Sequence, residues 1–279
     1  MAEGETTAWA PVELSTLPND LLDRIALPLL LPLQPAALVS LASTCAGFER
    51  LLRPRLRQLE LLHRKAGALC ARARSSCAEF HCARQVVWNN CKLSESDCKQ
   101  LERILTSQPL PHLQLLWLTF TQIGDVGCAL LSGALACHAT PNLTTLTLYH
   151  NGIGPTGCEA LAAALGSGAV PNLLNMNLGH NPIGDDGCVA LSGALGSLHQ
   201  LTTLGVHNDG IGSRGIRTLG AALTKGCCPH LRELYLAGNP CAQGTLRSIE
   251  EICRRRGFSS DLLALQEFQN SQVSETELW

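Results

Sequence analysis

Residues 143–172 read LTTLTLYHNGIGPTGCEALAAALGSGAVPN, and this stretch recurs along the chain. Leu113, Leu143, Leu173, Leu201 and Leu231 each open a copy, at spacings of 30, 30, 28 and 30 residues. Each copy begins L-x-x-L-x-L-x-x-N-x-I or a close variant, as in Leu143, Leu146, Leu148, Asn151 and Ile153 or Leu173, Met176, Leu178, Asn181 and Ile183. A glycine follows six residues after the asparagine position (Gly127, Gly157, Gly187, Gly215). Leu146 and Leu148 alternate with period two, so both point to one face of a short strand. Cys158, Leu161 and Leu165 then fall at i, i+3 and i+7, the spacing of one helical face.

One strand and one helix cannot close a core alone, so successive units must stack. The end copies are degenerate, as a stacked array requires. The copy at Leu231 carries Pro240 after Asn239 and ends in a helix from Arg247 with arginines in its last turn before Gly257. Stepping back 30 residues, Val86, Trp88, Cys91 and Leu93 keep the register, which places a first unit near Ala83. The reading is about six units over 83–257.

This pattern resembles the leucine-rich repeat, and its G-x-x-x-L-x-x-x-L second half is similar to the ribonuclease-inhibitor-like class. The resemblance implies an α/β solenoid with a curved parallel sheet inside and helices outside. It also implies that the ninth-position asparagine bonds backbone groups where the chain leaves the strand.

Outside the array, a net charge of −2 gives no argument for nucleic acid or an anionic membrane. Of fourteen cysteines, Cys128, Cys158 and Cys188 occupy one place in successive units, where each serves as a small apolar residue. No C-x-x-C occurs, so free thiols in a reducing compartment, cytoplasmic or nuclear, are expected. Residues 25–48 carry no charge, but Pro28, Pro32 and Pro35 with Gln34 argue against a membrane helix. Acidic residues and a proline precede this run, which argues against a secretory signal.

Residues 14–60 open with Leu17-Pro18, where proline suits a first helical turn, and Leu21, Leu22 and Ile25 follow on one face. After the prolines, Leu38, Leu41 and Cys45 share a second face ahead of Phe48. This segment resembles an F-box, a small all-α module. It departs from that pattern in a longer proline-rich run at 27–35 and in having Phe48 where a tryptophan is usual. The resemblance implies docking to a Skp-type adaptor through Leu17, Pro18, Leu21, Leu22, Ile25 and Leu41. The alternative is a helical cap over the open end of the array. Residues 61–82 read as a helical linker, 1–13 as a flexible start and 258–279 as a flexible polar tail.

No nucleophile elbow, H-E-x-x-H, phosphate loop or usefully spaced carboxylate pair is present, so no enzyme is expected. The repeat register places positions 3, 5, 7 and 8 on the concave face. That face displays Trp117, Phe120, Thr147, Tyr149, His150, Asn177, His180, His207, Asn208 and Tyr235. It is nearly uncharged and carries aromatic residues, the usual anchors of protein interfaces. It lacks the basic stripe that a phosphate backbone wants. His150, His180 and His207 fall at positions 8, 8 and 7 of adjacent units, and strands ~4.8 Å apart would let the rings approach; no carboxylate or cysteine converges with them, which favours a polar binding strip over a metal.

The expectation is a monomeric interaction protein without cofactor, nucleic acid or membrane. With the F-box resemblance it becomes a substrate-recognition subunit of a cullin-type ubiquitin ligase, holding an unknown protein substrate. The competing expectations are a scaffold or inhibitor with a capped solenoid and, as the weaker one, a GTPase-activating protein.

Overall fold

A computed structural model describes residues 64–71, 82–107, 109–257 and 259–261. The proposed adaptor segment, with Leu17, Pro18, Leu21, Leu22, Ile25 and Leu41, lies outside them, as do the start 1–13 and the uncharged run 25–48. Of the linker segment 61–82, residues 64–71 and 82 are described and are helical. No helix among the described residues is long and apolar enough to cross a membrane.

From residue 85 onward strands and helices alternate: β1 (Gln85–Val87), α1 (Glu95–Ser107), β2 (Leu115–Trp117), α2 (Gly124–Ala136), β3 (Thr145–Thr147) and α3 (Pro155–Gly166). There follow β4 (Asn175–Asn177), α4 (Gly184–Ala194), β5 (Thr203–Gly205), α5 (Ser213–Thr224), β6 (Glu233–Tyr235), α6 (Gln243–Arg256) and β7 (Ser259–Asp261). The strands form one parallel sheet in sequence order, β1 to β7. Leu116, Leu146, Met176, Leu204 and Leu234 stand in register across it, each at most 2% exposed. The fold is an α/β solenoid. Strands repeat every ~4.8 Å, whereas helices need ~10 Å, so the stack bends toward its sheet.

Residues 259–261 correct the reading of 258–279 as a flexible tail at its start. Ser259, Ser260 and Asp261 pair in parallel with Glu233, Leu234 and Tyr235. Ser-Ser-Asp has no apolar alternation to announce a strand.

The core lies between sheet and helices. Cys158, Leu161 and Leu165 are fully buried there with Leu146, Leu148 and Ile153. The Cys128 thiol donates to Gly157 O at 3.3 Å and the Cys158 thiol to Gly187 O at 3.4 Å, so each ties its unit to the next. Burial pushes the Cys128 and Cys188 thiols up to about 12 and raises Cys158 too. All three are therefore protonated packing groups without nucleophilic character.

The periodic glycines serve close approach. Asp125 Oδ1 accepts from Gly154 N at 2.6 Å and Gly157 N at 2.9 Å, clasping the N-terminus of the next helix. Asp185 does the same at Gly215 N, 2.7 Å away. A Cβ on Gly157 would lie 2.6 Å from Asp125 Oδ1 and 2.9 Å from its Cα. Gly157→Ala is therefore expected to lower the urea midpoint by an amount equivalent to about 1–3 kcal/mol. Gly193, in α4 with nothing within 4 Å of its Cβ position, is the control. Gly193→Ala should gain about 0.4–1 kcal/mol. Equal effects at the two sites would remove the clasp as the reason for the glycine.

The last helix is held by an arginine. Arg256 donates to Leu223 O, Cys227 O and Cys228 O at 3.1, 2.9 and 2.7 Å, satisfying carbonyls at and beyond the end of α5.

A candidate binding face at the strand exits

Two rows of side chains run across the units where the chain leaves each strand. At the eighth position Asn90, Phe120, His150, His180 and Asn208 all adopt left-handed backbone, with φ between 53° and 60°. This conformation costs about 1–2 kcal/mol for residues other than glycine, most readily tolerated by asparagine. It turns the side chain out of the sheet, and Phe120 is left 39% exposed with His150 exposed beside it.

The ninth position pins that turn from beneath. Asn181 Oδ1 accepts from Asn151 N at 2.8 Å and Ile153 N at 3.1 Å. Its Nδ2 donates to Leu148 O at 2.9 Å and also to Leu178 O. Asn239 repeats this with Asp209 N, Ile211 N, Val206 O and Leu236 O. Thus the turns at Thr121, Asn151 and Asp209 are each bonded by the amide of the next unit, as the resemblance implied.

Between Asn181 and Asn239 the series is broken by Asp209, which is fully buried. Its Oδ1 accepts from Asn181 N at 2.7 Å, but its Oδ2, where an asparagine would carry its NH₂, has no hydrogen-bond partner. Desolvation pushes its carboxyl up to about 9, so Asp209 is uncharged at neutral pH. The substitution is visible in the repeat alignment. What the sequence reading missed is that this carboxyl takes the place of two donors.

Above the ladder the rings form one cluster. Phe120 lies 4.4 Å from His150 and 5.5 Å from Tyr149, centroid to centroid. Tyr149 lies 4.8 Å from His180 and 5.7 Å from His207, and the two imidazoles are 5.4 Å apart at a steep angle. Asn208 Nδ2 stands 3.0 Å from His180 Nε2 and donates to it, which makes that nitrogen an acceptor. His207 lies over Gly179, where a Cβ would meet its ring at 2.3 Å. Burial, and secondarily His180, push His207 down to about 4; burial and His150 lower His180 as well. Both rings are neutral at pH 7.

The expectation that all ten face residues are displayed needs correction. Thr147, Tyr149, Asn177 and His207 are buried, at 8%, 7%, 6% and 7% exposure. The two seventh-position rings, Tyr149 and His207, lie along the sheet toward each other over Gly179, and Thr147 and Asn177 stand in closely spaced strands, where Asn177 Oδ1 accepts from Gly179 N. The accessible members are Phe120 and His150, with Trp117, His180, Asn208 and Tyr235 half-buried. Trp117 and Tyr235 stand at either end of the low floor formed by Thr147, Asn177 and Gly205. Among the described residues no group of three or more histidine, cysteine or carboxylate side chains is placed to hold a metal ion.

A family model described as Leucine Rich repeat matches residues 110–132, 140–162 and 171–192. These segments are leucine-rich repeats. No curated protein matches the sequence. Among solved structures, an internalin from Listeria monocytogenes is similar over 65% of this chain and 67% of its own, with 15% identity and a TM-score of 0.23. The leucine-rich repeats make the array a protein–protein interaction module, with the ladder holding its backbone and the ring cluster at its strand exits.

Proposed function

We propose that the strand-exit ridge and the sheet floor beside it hold a protein partner, and that the protein acts by binding alone. The observation that carries this reading is Phe120. An exposed aromatic side chain is held in left-handed backbone against His150, on a face where the strand and ridge positions of β1–β6 bring one charged residue, Glu233. Strain retained at an exposed apolar residue is a mark of function rather than of stability. Tyr149 packs edge-on against the Phe120 ring, and His180 and His207, both with pKa lowered by burial, pack in turn on Tyr149.

The finer reading rests on the sequence of 14–60, outside the described residues. There the F-box resemblance supports docking to a Skp-type adaptor, and with it a substrate-recognition role in a cullin-type ubiquitin ligase of the cytoplasm or nucleus. Such a protein speeds modification by raising the substrate's local concentration near the ubiquitin-loaded enzyme.

Affinity purification of the full-length protein from cells tests both levels. The adaptor and a cullin are expected to co-purify and to be lost from a Leu17→Asp, Ile25→Asp variant. The substrate is expected to be lost from Phe120→Ser, with a penalty of about 2 kcal/mol or more. An adaptor indifferent to Leu17 and Ile25 would sink the ligase reading. A partner retained by Phe120→Ser would sink the ridge. If 14–60 only caps a scaffold, deleting 1–60 should aggregate the array, whereas loss of a docking module should leave it folded and soluble.

A further inference from the structure

At the opposite end of the strands, where the chain enters the sheet, a cavity of about 510 Å³ opens across the first units. Its walls are two rows of polar side chains. Arg84, Gln114 and Thr144 directly precede β1, β2 and β3, and Asn142, Asn172 and Gln200 come from the connections just before β3, β4 and β5. The amides are fixed in place: Asn142 Nδ2 donates to Pro111 O at 2.8 Å and Asn172 Nδ2 to Pro141 O at 3.1 Å. The Thr144 hydroxyl donates to Gln114 O at 3.0 Å. Neither Asn142 Oδ1 nor Asn172 Oδ1 accepts a bond from a described residue, and Arg84 makes no ion pair with one. These groups are held ready and unspent.

The lining narrows the ligand by its chemistry. Its one ring is the exposed imidazole of His112, with no second ring facing it to sandwich a base or a sugar. It contains no carboxylate, and Arg84 is its single permanent cation, standing at one end of the rows. That provision matches one negative charge, where a phosphorylated or polyanionic ligand would want several cations. Rows of amide and hydroxyl groups offer donors and acceptors together, which is what a polypeptide backbone requires. From the row at β1 to that at β4 is about 14 Å at the strand pitch, the length of about four extended residues. Pro111 and Leu174 add apolar contact for a side chain.

We propose that this cavity is a binding site for the free C-terminus of another polypeptide, with Arg84 pairing the terminal carboxylate and the amide rows holding the last few backbone units. The site lies on the other edge of the sheet from the ridge around Phe120 and does not depend on the reading given to that ridge.

The test uses the full-length protein, immobilised, and two fluorescent random hexapeptide libraries that differ only in a free or an amidated C-terminus. The free-acid library should be retained about tenfold or more over the amidated one, the worth of a charge-assisted bond. Arg84→Gln should bring that ratio close to one. Arg84 is exposed, so the variant's melting temperature should be unchanged, which shows that folding is not the cause. Equal retention of the two libraries, retention of neither, or a ratio unmoved by Arg84→Gln overturns the proposal. So does equally strong retention of amidated peptides that carry glutamate, since a side-chain carboxylate would then suffice. Phe120→Ser should leave the ratio unchanged, and a collapse there would move the peptide to the ridge and remove this site.

Discussion

Replacing Asn181 with alanine is expected to be among the most damaging single changes in the array, costing about 3–6 kcal/mol. Its side chain serves Asn151 N, Ile153 N, Leu148 O and Leu178 O, all within the buried turn. Each buried polar group left without a partner costs about 1–3 kcal/mol, and little water can enter at a residue with 0% exposure. Because each unit touches only its neighbours, the loss also weakens the coupling of the two halves. Urea unfolding should therefore show an earlier and less cooperative transition. A midpoint shift equivalent to less than about 1 kcal/mol would mean that the ladder is a consequence of the fold and not a support.

Asp209→Asn should act in the other direction. An asparagine there would direct its Nδ2 at Leu178 O and Val206 O, the counterparts of the carbonyls that Asn181 and Asn239 serve. The expected gain near pH 7 is about 2 kcal/mol or more. The pH profile is the sharper readout. The folded protein keeps a proton on Asp209 up to about pH 9, whereas the unfolded chain releases it near 3.8. Rising pH therefore favours unfolding throughout that window, by about 1.4 kcal/mol per unit, and the contribution present below the lower value is spent above the upper one. The asparagine variant removes this slope.

His207 contributes the opposite slope over a shorter span. Its folded value of about 4 lies below the ordinary 6.5, so acid favours unfolding between the two. Wild type should thus be nearly level from about pH 4 to 6.5 as far as these two groups decide it, and lose stability above. Subtracting the Asp209→Asn curve isolates the carboxyl. A difference curve flat from pH 5 to 8 would show that Asp209 is charged in the folded protein.

Much of this architecture is legible in the leucines. Strands fall at positions three to five of every unit, and the helical stripe through Cys158, Leu161 and Leu165 is buried as its spacing requires. Orientation within the face is where legibility ends. Tyr149 and Phe120 are both assigned to the concave face by register, yet one backbone dihedral separates them: the eighth residue turns outward at φ 56° while the seventh stays with the sheet and packs on imidazoles. Position counting does not supply that dihedral. Strand β7 is invisible for a different reason, since Ser-Ser-Asp carries none of the apolar alternation that marks a strand. The Asp125 clasp is hidden because its partner, Gly157, is one unit away and reads only as a glycine.

The unit that opens at Leu173 is two residues shorter than its neighbours, and the deficit is taken up outside the sheet. Helix α4 has 11 residues and runs into a single 3-10 turn at Leu195–Ser197, while Asn177 still faces Gly205 in register. The outer wall therefore acts as the slack of the coil: length can be removed or spliced in behind the helices while the inner wall keeps its pitch. A reporter domain grafted after Ser197 would sit on that slack side, leaving both strand edges free for their guests.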